Sequence, residues 1–174
     1  TLLINSVLIV TEAVTIDGLG SGSLSLQRSV GPTSDVFAFQ PGAANQDFTL
    51  SGITIQGNGV ITGSGVVAND NAQTPRNVTV DDVSFVDLIN SVIGGPAIVI
   101  DTIAGTLTVT NSSFTGNSGG ASGGAILATD VGAAIDLTSN YFGGNAAIGN
   151  GGAVYVDSPL ATVDFVNCTL EDNS

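Results

Sequence analysis

The chain contains no histidine, no lysine, no methionine and no tryptophan, and it has one cysteine, Cys168. Without histidine there is no Ser-His-Asp or Cys-His machinery, no HExxH zinc site and no imidazole base. Without lysine there is no Schiff-base nucleophile and no Walker-type phosphate lysine. A lone cysteine closes no disulfide within the chain. The only cationic side chains are Arg28 and Arg76, set against 15 acidic residues. Nucleic-acid backbones are neutralised by clustered Lys and Arg, so this count excludes a nucleic-acid partner, and it excludes an anionic membrane surface as well. No apolar run reaches the roughly 18 residues that would insert into a bilayer. Carboxylate-pair chemistry and oxygen-ligand cation sites survive these exclusions.

What is present is apolar and glycine-rich. Of 174 residues 43% are hydrophobic and only 10% charged, with 24 glycines and a net charge of -13. Disordered chains lack the apolar residues needed for a core, so this is not a disorder composition. The length fits a single domain over residues 1–174 whose surface is covered largely by Ser, Thr, Asn and Gly. With no initiator Met and no basic segment ahead of an apolar stretch, the chain reads as soluble and as a processed or excised piece of a longer precursor.

Self-similarity organises the sequence. Five segments align: FTLSGITIQGN from Phe48, VTVDDVSFVDL from Val78, LTVTNSSFTGN from Leu107, IDLTSNYFGGN from Ile135 and VDFVNCTLEDN from Val163. Their columns keep their chemistry. One is apolar throughout (Phe48, Val78, Leu107, Ile135, Val163), one is mostly aromatic (Ile55, Phe85, Phe114, Phe142, Leu170), and one is Asn except at Leu88 (Asn58, Asn117, Asn145, Asn173). A second block, GSGVVAN from Gly63, GPAIVID from Gly95, GGAILAT from Gly123 and GGAVYVD from Gly151, runs in step. At the start, LLINSVLI from Leu2 fits the first block, and EAVTIDG from Glu12 fits the second, which puts Asp17 in the column of Asp101 and Asp157. Leu24 to Leu26 and Val36 to Phe39 supply one shorter coil between them.

Each unit holds three short alternating stretches, such as Ile135 to Leu137, Asn140 to Phe142 and Ala153 to Val156, separated by Gly, Asn, Ser and Asp. Alternation over three to five residues predicts strand, and those separators predict turns. A three-strand unit is too small to bury its own inner face and must stack on its neighbours. The expected fold is therefore all-β: a right-handed parallel β-helix, or solenoid, with three short strands per coil and about six and a half coils. At the strand spacing of ~4.8 Å, six steps give a body about 30 Å long.

The motifs FTGN at Phe114, FGGN at Phe142, GGAI at Gly123 and GGAV at Gly151 resemble the Phe-x-x-Asn and Gly-Gly-Ala-[Ile/Leu/Val] repeats of polymorphic outer membrane proteins. They are similar also to other bacterial right-handed parallel β-helix surface proteins and autotransporter passengers with pectate-lyase-like architecture. The strict motifs cover residues 111–173; upstream, Leu88 replaces the Asn and Pro96 interrupts the Gly-Gly. The resemblance implies a secreted or surface-displayed protein acting as adhesin, passenger or matrix component.

Motifs that suggest chemistry each have a plainer reading. Gly116 to Gly120 matches the Gly-x-Ser-x-Gly elbow, but Ser118 has no base, so it reads as a solenoid turn. The loop Gly18 to Gly22 follows a strand as a phosphate loop would, yet no lysine or helix follows it. Asp81-Asp82 is the most serious enzymatic candidate, since paired carboxylates can divide acid and base roles. Its alignment with Thr110-Asn111 makes it a two-residue turn instead, and Arg28 and Arg76 read as loop residues unable to serve a lyase. The Asn column reads as an axial hydrogen-bond ladder, the Phe column as an inward stack, and Cys168 as a small buried residue. Asp17, Asp101, Asp130 and Asp157 could offer calcium oxygens, but the Gly-Gly-x-Gly-x-Asp nonapeptide is missing. Glycosylation sequons begin at Asn77, Asn111 and Asn167.

No catalytic, cofactor-binding or metal-ligating residue is assigned, and no cofactor. The expected function is a non-catalytic structural module of an extracellular or cell-surface protein, with polysaccharide cleavage (glycosidase or lyase) or carbohydrate-binding adhesion as the alternatives. Partners are further coils of the same protein or another copy stacked end to end, with surface glycans or other extracellular proteins docking on the longest inserts, Gln27 to Gln40 and Asn69 to Arg76. Neither end shows a capping helix, so the segment is expected to belong to a longer passenger or a stacked assembly.

Overall fold

The computed structural model describes residues 1–28, 35–40, 46–59, 63–69, 76–91 and 95–174. Among them there is no helix. The first coil is β1 (Leu2–Ile4), β2 (Leu8–Val10) and β3 (Val14–Asp17); the second is β4 (Ser25–Arg28), β5 (Phe37–Phe39) and β6 (Phe48–Ser51). The third is β7 (Thr54–Gln56), β8 (Val66–Asn69) and β9 (Val78–Asp81). From the fourth coil a two-residue strand is added: β10 (Ser84–Val86), β11 (Ile89–Asn90), β12 (Ile98–Asp101) and β13 (Leu107–Thr110). The fifth repeats it as β14 (Ser113–Thr115), β15 (Ser118–Gly119), β16 (Ile126–Thr129) and β17 (Ala134–Thr138). The last strands are β18 (Tyr141–Gly143), β19 (Ala146–Ala147), β20 (Val154–Asp157), β21 (Thr162–Val166) and β22 (Thr169–Glu171).

Strands of like position stack in parallel into three long sheets. The first holds seven strands, β1-β4-β7-β10-β14-β18-β22, and the other two hold six each, β2-β5-β8-β12-β16-β20 and β3-β6-β9-β13-β17-β21. A minor sheet, β11-β15-β19, lines one corner. The chain is an all-β parallel solenoid, as the repeats predict. The register follows the sequence columns: Val78, Leu107, Ile135 and Val163 pair in turn, as do Ile55, Phe85, Phe114, Phe142 and Leu170.

The first coil departs from the expected alignment by one strand. Leu2 pairs with Leu26 in the first sheet, and Val14 pairs with Phe48 in the third, so Asp17 lies beside Ser51 rather than in the column of Asp101 and Asp157. The next coil is complete rather than shorter, with Phe48–Ser51 as its third strand. All three strand types are short apolar alternations, so an isolated coil can be slid by a third of a turn without spoiling its pattern. The corner decides the register: the Gly18 N–H donates to Ser51 O at 2.9 Å, setting Asp17-Gly18 beneath Ser51-Gly52.

Inward side chains from the three sheets fill the interior. Phe85, Phe114 and Phe142 are fully buried and stack along the axis, with centroids 5.0 and 4.6 Å apart and planes within 7° and 6°. Such pairs add about 0.5–1.5 kcal/mol each beyond their burial. Near the other end Phe48 packs against Phe37 and Phe39 at 6.0 and 5.4 Å.

Two corners explain the turn residues. Between the third and first sheets the second turn residue is left-handed in every coil from the second on: Gly52, Asp82, Asn111, Ser139 and Asn167 have φ between 49° and 63°. Asn and Asp tolerate this conformation better than other side chains, and Gly adopts it freely. At the lead-in to the second sheet, Gly123 has φ 70°, and a Cβ there would lie 2.2 Å from Ile126 O. The first glycine of the Gly-Gly-Ala motif is thus required by both torsion and space, and Gly151 repeats the situation.

Candidate functional site

Asp81 and Asp82 end β9 and start the corner, as a two-residue turn predicts, and they are drawn opposite ways along the axis. Asp81 Oδ1 accepts from Thr110 Oγ1 at 2.5 Å and from Asn111 Nδ2 at 2.8 Å, both in the next coil. Asp82 accepts from Ser21, whose Oγ lies 2.8 Å from Oδ1 and whose backbone N lies 3.3 Å from Oδ2. The two carboxylates therefore answer separate donors. The same contacts resolve the Gly18 to Gly22 loop: the amide that a phosphate would need is directed at the protein's own Asp82.

The third-sheet and second-sheet acids behave alike. Ser51 Oγ donates to Asp17 at 2.7 Å. Asp101 accepts from Asn69 Nδ2 at 3.1 Å, Thr102 Oγ1 at 3.0 Å and Thr129 Oγ1 at 3.2 Å. Asp157 stands in register with Thr129, and Asp130 occupies a left-handed corner position with φ 51°. Among the described residues no three Asp, Glu or Cys side chains gather as a metal cluster. Ser118 lies in β15 between Ile89 and Ala146, and its N–H donates to Leu88 O.

The Asn column forms the axial ladder that stacking predicts. Asn117 N and Nδ2 both donate to Asn145 Oδ1, at 3.1 and 2.9 Å, and Asn145 N and Nδ2 do the same to Asn173 Oδ1, at 3.0 and 2.9 Å. Each Nδ2 also reaches back to a carbonyl: Asn117 to Phe85, Asn145 to Phe114, Asn173 to Phe142. One coil upstream Leu88 N donates to Asn117 Oδ1, so the leucine keeps the backbone bond of the ladder and gives up only the side-chain ones. A second polar ladder was not anticipated by the repeat reading. Val83 N donates to Ser112 Oγ and Ser112 N to Asn140 Oδ1, while Asn140 Nδ2 donates to Val109 O. Its column mixes Ile53, Val83, Ser112, Asn140 and Cys168, so chemistry changes from rung to rung and hides the pattern.

Two expectations are corrected. Cys168 is half-buried rather than buried, because no coil of the chain covers its rung; its thiol donates to Leu137 O at 3.2 Å. Arg28 ends strand β4 in register with Ile4, so it is a strand residue. Both arginines are buried, Arg28 to 4% and Arg76 to 1% exposure. Long aliphatic stems let arginine sit within apolar surroundings, and as a result the solvent-facing side chains include no Lys or Arg. The inserts proposed for partner contact, Gln27 to Gln40 and Asn69 to Arg76, fall largely on residues 29–34 and 70–75, outside the described residues.

Two of the three sequons are engaged in the ladders. Asn77 Nδ2 donates to Asp47 at 3.2 Å while its Oδ1 accepts from Thr106 N, and Asn111 Nδ2 is held by Asp81. Asn167 is exposed. On the first sheet's outer face the Tyr141 hydroxyl donates to Glu171 Oε1 at 2.7 Å. That bond, with partial desolvation and the negative charges of Glu171 and Asp172, pushes the phenol above its ordinary value of 10.0. An open groove of about 390 Å³ lies where three corners stack, between Thr102–Ala104, Asp130–Gly132 and Pro159–Leu160. It offers one carboxylate, one threonine hydroxyl and apolar walls, which is not an acid–base pair. No family model matches the chain, and no curated protein or solved structure matches it either.

Proposed function

We propose that the chain is a non-catalytic structural module of an extracellular or cell-surface protein, of the adhesin, passenger or filament kind: a stiff solenoid that extends by stacking further coils on its end rungs. The observation that carries this reading is the direction of the polar hydrogen bonds. The Asn ladder, the Ser112–Asn140 ladder and the Asp81 and Asp101 contacts all run along the axis from coil to coil, tying rungs together. Their donors and acceptors are engaged with the scaffold. Stacking is supported by the end rungs. Val163, Phe165 and Leu170 are 39%, 46% and 52% exposed although their column mates Ile135, Leu137 and Phe142 are fully buried. Exposed parallel edges of this kind are templates for further strands. The extracellular or surface setting rests on the resemblance of the Gly123 to Gly151 motifs to polymorphic outer membrane protein repeats.

The test is self-association of the purified chain, followed by sedimentation and electron microscopy across concentration. Rods that lengthen with concentration, and that Phe165→Glu shortens while leaving the circular dichroism of the fold intact, support the reading. A chain that stays monomeric at every concentration with its β21 and β22 amides protected from exchange would remove the stacking. Polysaccharide cleavage lost in Asp82→Asn would replace the structural role by an enzymatic one.

A further inference from the structure

We propose that Asn150 is a site of spontaneous covalent modification, in which its side-chain amide is lost to the neighbouring backbone and an isoaspartyl linkage forms between residues 150 and 151. The chain has two Asn-Gly pairs, Asn58-Gly59 and Asn150-Gly151, and the fold treats them differently. Asn150 lies in the exposed link between β19 and β20, next to Ile148, which is 89% exposed. Its side chain makes no hydrogen bond among the described residues. The backbone is held from the other side: Asn150 O accepts from Gly123 N and Gly151 O from Gly124 N, both at 2.9 Å. A backbone anchored from the other side beside an exposed, unbonded side chain, with no Cβ on residue 151 to obstruct approach, leaves the side-chain amide open to the Gly151 nitrogen. Asn58 is half-buried, and its Nδ2 donates to Arg28 O at 3.1 Å.

The chemistry needs only water. The Gly151 nitrogen, after losing its proton to solvent, attacks Asn150 Cγ; the new C–N bond forms as the bond to the side-chain nitrogen breaks, and that nitrogen leaves as ammonia with a proton from solvent. A five-membered succinimide results. Water then opens the ring at one of its two carbonyls, giving aspartate or isoaspartate, with no oxidant or reductant. In the isoaspartyl product the chain runs through Cγ, and the carbonyl that accepted from Gly123 becomes part of a free carboxylate. The turn leading into β20 gains a methylene in its main chain and a negative charge.

The experiment holds purified protein, folded and urea-denatured in parallel, in warm, mildly alkaline buffer. Time points are digested at acidic residues, amide loss at Asn150 and Asn58 is read by mass spectrometry, and isoaspartate is labelled with an isoaspartyl methyltransferase. In the folded protein Asn150 should lose its amide at close to its denatured rate. Asn58 should be slowed at least about fivefold by folding, because its hydrogen bond must break first. Asn150→Gln should abolish the methyl label in the peptide that spans β19 and β20. Slowing of Asn150 on folding to the same degree as Asn58, or persistence of that label in Asn150→Gln, overturns the proposal.

Discussion

Asn117 donates both its backbone N–H and its side-chain Nδ2 to a single atom, Oδ1 of Asn145, and Asn145 repeats the arrangement on Asn173. Asn117 and Asn145 are thus each at once acceptor for the coil before and donor to the coil after. Asn117 and Asn145 are fully buried, so none of these groups has water as a substitute.

Asn145→Ala therefore removes more than one contact. Asn117 N and Nδ2 lose their acceptor, Phe114 O loses a donor, and a small cavity opens. Leaving a buried polar group unpaired costs about 1–3 kcal/mol, so a loss of about 3–5 kcal/mol is expected, read from the urea midpoint at unchanged slope. Asn173→Ala, in a half-buried rung, should cost clearly less. Equal losses at the two positions would show that the ladder is not the source of the stability.

The left-handed corners make opposite predictions for two neighbouring kinds of residue. Gly123→Ala should cost at least about 2 kcal/mol, because the methyl group meets Ile126 O at 2.2 Å and φ is 70°. Ser139, with φ 58°, is at a position with room for a side chain. There Ser139→Val should cost about 1–2 kcal/mol while Ser139→Gly is tolerated. Thermal or urea unfolding of the three variants distinguishes torsional strain from crowding.

Burial of Arg28 and Arg76 predicts resistance to trypsin. The folded chain should stay intact under digestion that cuts the urea-denatured chain after both arginines. Rapid cleavage after Arg28 in the folded state would mean that β4 opens far more readily than its 4% exposure implies.

Tyr141 gives a pH-dependent signal. Its pKa is raised, by the hydrogen bond to Glu171 first and by desolvation and negative charge after it. The folded state thus favours the protonated phenol: the contribution is complete below the ordinary tyrosine value and is lost as pH rises through the raised one. Ultraviolet titration should show one phenol ionising late in the native protein, and Glu171→Gln should bring that transition to lower pH.

Most of the architecture was legible because a solenoid writes its contacts into the sequence. Columns such as Val109 with Leu137, or Phe114 with Phe142, pair in the register that spacing alone implies. The Asn ladder was legible for the same reason, since one residue type recurs at one position. What escaped was information carried by single rungs. The first coil lost its register because Val14–Asp17 fits two sheets equally well by polarity, and only the Gly18 contact separates them. The Ser112–Asn140 ladder alternates residue types, and β11, β15 and β19 are too short to alternate at all. Arg28 was misplaced as a loop residue because a charged side chain breaks the apolar alternation that marks a strand, and burial of a guanidinium depends on surroundings that a repeat pattern does not specify.

The settled step between equivalent residues in the last coils also makes length a modular quantity. From Ser112 to Asn140, as from Asn117 to Asn145, the step is 28 residues. Removing or duplicating one such stretch joins a corner to an identical corner and leaves every remaining column unbroken, while a change of one residue inside a strand would turn its apolar face outward. Gain or loss of a whole coil, changing the rod by about 4.8 Å, is therefore the length change the fold accommodates most readily, and it leaves the chemistry of the faces untouched.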